Sequence, residues 1–133
     1  RSFLNRINGE LCIYNTIEII KRYNPKVYVI ENPASSKIWH YVNDILNFQI
    51  PFDNLAHYNL YNYPLRKPTR FKSNINLGLR NNHKSKPQQQ WEDFSKSYNE
   101  RSNIPLELIV DIYKAVNQYL TNPIGVPSER LLF

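Results

Sequence analysis

Residues 27–30, Val-Tyr-Val-Ile, constrain the fold most, because they form a continuous apolar run that is rich in β-branched side chains. A run of this length and composition is typical of a strand that is covered on both faces. Helical apolar spacing precedes the run and follows it. The resulting order of helix, buried strand and helix is the unit of a doubly wound sheet, so the sequence predicts an α/β fold.

Apolar spacing predicts the two flanking helices. The first should begin at Asn5 or Asn8 and end at Asn24-Pro25, because proline cannot continue a helix. The second follows Ser35 or Ser36. The first apolar pattern comprises Leu11, Tyr14, Ile17, Ile20 and Tyr23, and the second comprises Ile38, Tyr41, Val42, Ile45 and Leu46. Both patterns match one side of a helix.

Three further elements complete the predicted order. Residues 57–61 and 69–75 resemble strands, and Pro105 begins a last helix at its first turn. The apolar face of that helix comprises Leu106, Ile109, Val110, Tyr113, Val116 and Leu120. Residues 78–99 contain NNHKSKPQQQ and few aliphatic side chains, which predicts a polar basic loop. The length of 133 residues indicates a single domain or fragment over residues 1–133.

Charge points to an anionic partner. The formal net charge is +6, and residues 54–91 contain no Asp or Glu. Basic and aromatic side chains interleaved in this way suit a phosphate backbone and unstacked bases. A solvated basic surface is the alternative interpretation. The cations of this segment are Arg66, Lys67, Arg70, Lys72, Arg80, Lys84 and Lys86.

Glu31 and Asn32 follow the apolar run directly and are the first candidates for a site. Ligands of open α/β sheets bind at the carboxyl ends of the strands, which is where this carboxylate and amide are expected. The alternative is structural, since Glu31 could cap the next helix or form a salt bridge with a lysine.

Cysteine, histidine and hydropathy exclude several classes of protein. Cys12 is the only cysteine, which excludes a disulfide framework and favours a reducing, cytoplasmic location. It lies in an apolar helical pattern, so we expect a small core residue. His40, His57 and His83 show no metal-ligand spacing, so no metal site is expected. No apolar run approaches the ~20 residues of a membrane span.

In RSFLNRINGELCIYNTIEIIKRYNPKVYVIENPASSK, an arginine (Arg1) and a helix lead into a turn, a strand and Glu-Asn. This order resembles one part of the cytosine-C5 DNA methyltransferase family, and two later stretches resemble further motifs of that family in the same order. Pro33 stands where the family commonly has Val, as in Glu-Asn-Pro variants from phages and mobile elements. YNLYNYPLRKPTRF is similar to the Tyr-Gly-x-Pro segment, with Asn62 in place of Gly. RSNIPLELIVDIYKAV is similar to the final motif, in which Asn-x-Val-Pro opens a closing helix.

This resemblance implies roles for the site residues. It implies the C-terminal part of a Rossmann-like methyltransferase sheet that uses S-adenosylmethionine, with a polar loop in place of a large recognition region. Glu31 would contact N3 and the exocyclic amine of a flipped cytosine, Asn32 would fix the turn or orient Glu31, and Arg66 or Arg70 would reach the base. Asn103, Ile104 and Pro105 would lie near the cofactor. Lys67, Lys72, Arg80, Lys84 and Lys86 would contact the DNA backbone.

The family's Pro-Cys nucleophile and its Gly-rich cofactor loop are not in this sequence. The chain begins with Arg and contains no Met, so we expect an N-terminal methyltransferase half in the same polypeptide or in a second chain. Alone, the chain would be inactive. Two alternatives stay open: a catalytically inactive DNA-binding accessory or remnant of a phage or mobile element, and an unrelated basic α/β domain that binds RNA or single-stranded DNA.

Overall fold

The computed structural model describes residues 3–122, so Arg1 lies outside the described residues. The order is α1 (Phe3–Tyr23), β1 (Val29–Pro33), α2 (Ile38–His40) with a π-helical turn (Tyr41–Ile45), β2 (Phe52–His57), a 3-10 turn (Tyr58–Tyr61), β3 (Pro68–Ser73), a 3-10 turn (Trp91–Asp93), α3 (Tyr98–Ser102) and α4 (Leu106–Thr121). The predicted mixture of helices and strands is confirmed.

The strands form one sheet in the order β1-β3-β2, and β3 is antiparallel to both neighbours. Residues 58–67, which join β2 to β3, are too few for the crossover of a dozen or more residues that a parallel pair needs. Residues 34–51 connect β1 to β2 and are enough for a crossover that contains α2. Because β3 is antiparallel to both of its neighbours, β1 and β2 run parallel to each other with β3 between them.

Strand register divides the side chains between two faces of the sheet. Glu31 lies opposite Phe71, which lies opposite Asn54, and these three share one face. Ile30 lies opposite Lys72 on the other face. Helices cover both faces, and we call them the α4 face and the α1 face. The α4-face core comprises Ala56, Tyr58, Tyr61, Phe71, Ile75, Leu77, Leu79 and Leu108. The α1-face core comprises Ile13, Ile17, Ile30, Trp39 and Val42.

Several predicted boundaries are confirmed. The first helix ends at Tyr23, the last helix follows Pro105, and β3 overlaps the predicted strand 69–75. Residues 78–97 contain no strand and no helix longer than a single 3-10 turn, in agreement with the predicted loop. Asn62 has φ 60° and ψ 44°, the left-handed conformation in which Asn can replace Gly.

The buried side of α1 differs from the prediction. Ile13 and Ile17 are buried against the sheet, whereas Leu11 and Tyr14 are exposed. Cys12 is exposed as well, so its prediction as a core residue is wrong. The apolar residues of α1 lie on more than one side of the helix, and spacing alone did not identify the side that meets β1.

The strand predicted at 57–61 is wrong. β2 occupies the preceding residues, and residues 58–61 form a 3-10 turn. Tyr58 and Tyr61 are three residues apart, and in a 3-10 turn residues at i and i+3 lie on the same side. Both rings therefore enter the α4-face core.

β1 begins two residues later than predicted, so Glu31 and Asn32 lie inside the strand. The backbone groups of Tyr28 form hydrogen bonds with side chains instead of with the backbone of β3. Its N–H donates to Asn74 Oδ1 at 3.0 Å, and its carbonyl accepts from Ser73 Oγ at 2.6 Å. Among residues 3–122, no helix has the length and hydropathy needed to cross a bilayer.

Candidate functional site

Glu31 lies on the α4 face, at the third of the five residues of β1. Its cross-strand partner Phe71 is buried, while the Glu31 side chain keeps one side open to solvent. Desolvation by the neighbouring protein atoms raises the pKa of Glu31, and the charge of Lys67 lowers it in part. A carboxyl group whose pKa is raised holds its proton more readily than a free carboxyl group, which favours a role in acid–base chemistry.

Lys67 is brought to Glu31 by the end of the β1–β3 pair. The Ala34 N–H donates to the Pro68 carbonyl at 3.0 Å, which closes the pair next to Lys67. Lys67 has φ 37°, a left-handed conformation that is uncommon outside Gly. Its Nζ lies 5.2 Å from the centroid of the Tyr58 ring and donates to the Arg101 carbonyl. Burial lowers the pKa of Lys67, and Glu31 raises it in part.

Tyr58 forms the buried floor beside these two charges. Its side chain is fully buried, and its hydroxyl has no hydrogen-bond partner among the described residues. Burial, as the largest cause, raises the pKa of Tyr58 to about 12, so the hydroxyl stays protonated. Tyr63 packs edge-to-face on the Tyr58 ring at 5.4 Å and donates its own hydroxyl to the Glu100 carbonyl at 3.0 Å.

The segment before α4 is tied to the same place. Lys67 and Tyr63 bond to the carbonyls of Arg101 and Glu100, immediately before Asn103-Ile104-Pro105. Pro105 is buried, Ile104 packs on the α4-face core and Asn103 is exposed. Of this predicted cofactor segment, Asn103 alone presents a polar side chain to solvent. These two bonds fix the segment before α4 to Lys67 and Tyr63.

The other predicted catalytic residues do not join Glu31. Asn32 lies opposite Arg70, and alternation of side chains along the strands places both on the α1 face. Arg70 forms an ion pair with Asp53 and donates Nε to the Ala34 carbonyl at 3.4 Å. Arg66 donates Nη1 to the carbonyls of His83 at 2.8 Å and Ser85 at 3.2 Å, so its guanidinium holds the loop.

The remaining cations divide into engaged and free side chains. Arg80 lies 3.3 Å from Glu107 Oε1 and 3.5 Å from Asp111 Oδ2, so two carboxylates of α4 compensate its charge. Lys72 Nζ lies 5.0 Å from the centroid of the Trp39 ring on the α1 face. Lys84 and Lys86 are exposed and make no ion pair with the part of the chain that the structure describes.

Two site residues were missed or assigned differently by sequence reasoning. Tyr58 was placed in a predicted strand with no role, and Lys67 was assigned to the DNA backbone rather than to Glu31. The sequence contained a signal for Lys67. In an extended segment residues 67, 69 and 71 share one face, and Arg66 and Arg70 lie on the other. Using it required knowing that Glu31 pairs with Phe71.

A cleft of the described structure lies elsewhere. It measures about 240 Å³ and is lined by Phe52, residues 75–78 and the α4 residues Ala115, Gln118 and Tyr119. Glu31 does not line it and lies on open surface instead. Within residues 3–122, no three His, Cys, Asp or Glu side chains are grouped so that they could hold a metal ion.

Comparison with known proteins gave no match to any protein-family model, any curated protein or any solved structure.

Proposed function

We propose that this chain is the C-terminal part of a DNA (cytosine-5-)-methyltransferase and presents Glu31 to a cytosine that has been flipped out of the duplex. One observation carries the proposal: the Glu31 carboxyl group, whose pKa is raised, is exposed on β1 near Lys67, which bonds to the segment that leads to Asn103. The base has to leave the stack to reach such a group.

Glu31 and Lys67 would have different roles at the flipped cytosine. The Glu31 carboxyl group would share a proton with ring N3 and accept from the exocyclic amine. Lys67 would take the part of base-facing cation that the resemblance gave to Arg66 or Arg70, because Lys67 is the cation whose charge acts on Glu31. Asn32, on the opposite face, would stabilise the strand rather than orient Glu31.

The strand arrangement supports the proposal that these three strands form the edge of a larger doubly wound sheet. β1 and β2 are parallel, helices cover both faces, and otherwise parallel sheets often include an antiparallel strand. In the described residues the second edge of β1 carries no strand. An N-terminal methyltransferase half would pair there and supply the opposite wall of the open Glu31 site.

S-adenosylmethionine would supply the methyl group when bound. The residues present fit one wall of such a site. Asn103 is exposed beside Arg101 and would hold the cofactor, while Ile104 and Pro105 turn into the core and fix the position of Asn103. The rest of the cofactor site would come from the N-terminal half.

Cys12 favours a second candidate, a catalytically inactive DNA-binding accessory protein. The only thiol lies on α1, which packs on the face of the sheet opposite to Glu31. It could not attack a cytosine held at Glu31. Activity therefore requires a thiol from a partner, and a chain that works without one would bind DNA only.

Reconstitution separates the two functions. The chain is mixed with an N-terminal half that carries the Pro-Cys nucleophile and the Gly-rich loop, and transfer of labelled methyl groups to DNA is measured. Glu31→Gln should lower the rate at least tenfold, whereas Glu18→Gln, on exposed α1, should leave it unchanged. If no pairing gives transfer while the chain binds DNA, the accessory function is correct. An active pair that tolerates Glu31→Gln would show that Glu31 is not the acid.

A further inference from the structure

We propose that Trp91 is a stacking platform for an unpaired nucleobase of single-stranded DNA, and that phosphates of the same strand lie on Lys84 and Lys86. This site is in the loop after β3 and does not include Glu31. It goes beyond the proposed function, because stacking needs neither a cofactor nor an N-terminal half. It can therefore be tested on the chain alone.

The two tryptophans have different surroundings. Trp39 is 8% exposed in the α1-face core, and its indole N–H donates to the Pro33 carbonyl at 3.0 Å. Trp91 is 41% exposed and, among the described residues, is not part of either core. A single exposed apolar side chain is common, but Trp91 is also held in place by its neighbours.

The indole ring of Trp91 is fixed by Arg101 and Phe94. Arg101 Cζ lies 5.0 Å from the ring centroid, and Phe94 meets the ring edge-to-face at 6.4 Å. The guanidinium is fixed in turn, since Nε donates to the Ser95 carbonyl at 2.7 Å and Nη2 donates to the Trp91 carbonyl at 3.3 Å. A ring that is already ordered loses little conformational entropy on binding, and an arginine beside it adds a cation–π contribution.

Phe94 connects this ring to the core. Its ring lies 5.8 Å from that of Tyr63, which packs on buried Tyr58 at 5.4 Å. The four aromatic side chains form a row that begins in the α4-face core and ends at the exposed indole of Trp91. The platform is therefore supported by the folded domain, although it belongs to a loop.

The loop that carries the two lysines is held beside this row. The backbone N–H groups of residues 88–89 both donate to the Pro64 carbonyl, at 2.9 and 3.0 Å, and Pro64 directly follows Tyr63. Lys84 and Lys86 are exposed and make no ion pair with the part of the chain that the structure describes. Free cations and an exposed indole thus lie on one held segment.

The charges around Trp91 indicate which part of a strand it meets. Glu92 and Asp93 directly follow the indole and are exposed, so they repel phosphate, whereas Lys84 and Lys86 precede it. Phosphates therefore belong on the lysine side, and a base belongs on the ring. Every base has a π-face that can stack on an aromatic side chain, but a duplex covers these faces with its own stacking. The partner is therefore a single strand.

The test is fluorescence anisotropy of the isolated chain with a labelled oligothymidylate. Trp91→Ala should weaken binding at least about fivefold, which corresponds to about 1 kcal/mol, the lower limit for a stacked base. Tyr98→Ala is the matched control, because it removes an aromatic side chain of α3 that is 81% exposed, and it should leave the affinity unchanged. On an abasic strand of the same length, Trp91→Ala should have no effect.

A second readout needs no loss of affinity. Oligothymidylate should quench the tryptophan fluorescence of the unmodified chain, and the abasic strand should not. In Trp91→Phe, where Trp39 is the remaining tryptophan, oligothymidylate should cause no quenching. Absence of quenching in the unmodified chain, or an equal loss of affinity in Trp91→Ala for the abasic strand, would overturn the inference. Neither result bears on Glu31, which methyl transfer in the reconstituted pair decides.

Discussion

Replacing Lys84 and Lys86 together by Gln should remove most of the salt dependence of DNA binding. Seven cations lie between residues 54 and 91, but four of them already have protein partners: Arg66, Lys67, Arg70 and Arg80. The cations left for phosphate are Lys72, Lys84 and Lys86. Three phosphate contacts give a slope of log affinity against log salt of about −2.7, at about −0.9 per contact.

Fluorescence anisotropy with a labelled duplex measures this slope. Between 50 and 200 mM salt, the unmodified chain should lose about 40-fold in affinity, and the double variant only about 3- to 4-fold. Arg80→Gln is the matched control. It removes one positive charge from the same segment, where the double variant removes two, but the Arg80 guanidinium is already compensated by Glu107 and Asp111, so the slope should not change.

Two results would refute this division of the cations. If Arg80→Gln flattened the slope by about 0.9, Arg80 would contact phosphate despite its carboxylate partners. If the double variant kept the slope of the unmodified chain, the loop would not be the DNA-binding segment. A salt-independent affinity in the unmodified chain would remove the phosphate-contact interpretation altogether.

Three stability predictions follow from the core, each measured by denaturant unfolding. Burial and nearby Arg66 lower the pKa of His57 below 6.5. The contribution of His57 to stability is therefore present above pH 6.5 and is lost as the pH falls, by up to about 1.4 kcal/mol per pH unit. His57→Gln should flatten this pH profile, and exposed His83→Gln should not. Asn54→Leu should cost at least about 2 kcal/mol, because the Asn54 side chain donates to two buried carbonyls and accepts from one N–H. Leu108→Ala should cost about 2–5 kcal/mol, whereas exposed Leu106→Ala should cost less than about 0.5 kcal/mol.

Local chemistry was enough to predict that α4 and β3 form, but the predicted apolar face of α4 is wrong. Leu108 is buried and Val116 packs on the α4-face core with Ile112, Ala115 and Tyr119, whereas the other predicted residues of the face are exposed: Leu106, Ile109, Val110, Tyr113 and Leu120. Pro105 fixes the first turn of α4, and the apolar spacing after it is helical over sixteen residues. In β3 the buried and half-buried residues alternate with period two, from Thr69 to Ser73. Both elements contain a boundary residue and a periodicity that agree, so long-range contacts do not have to decide between alternatives.

The 3-10 turn at residues 58–61 could not be predicted in the same way. Tyr-Asn-Leu-Tyr contains β-forming aromatic residues, which favour a strand by composition. The decisive terms are long-range: the Tyr58 N–H donates to the Arg66 carbonyl at 2.6 Å, and the Tyr61 hydroxyl accepts from the Arg80 N–H at 2.7 Å. These bonds close the turn only after β3 and the loop are in place.

The sequence predicted neither the position of Glu31 within its strand nor the side chains around it. The apolar run predicted Glu31 directly after the strand, whereas β1 continues to Pro33 and Glu31 lies inside it. A cation can approach Glu31 only if its side chain lies on the same face of the sheet. A shift of one residue in strand register would move every side chain of the strand to the opposite face. Lys67 and Arg70 are three residues apart and lie on opposite faces of the sheet, so no local pattern could choose between them.

Exposed apolar side chains on α1 and α4 and an unpaired edge of β1 argue for the proposed N-terminal half more strongly than for an accessory protein. α1 exposes Leu4 and Leu11, α4 exposes Leu106 and Tyr113, and one edge of β1 carries no strand in the described part of the chain. Contiguous apolar surface and open strand edges are ordinarily covered in a stable fold. A partner half that continued the sheet past β1 would cover that edge, whereas a free DNA-binding protein would need a separate reason to expose it.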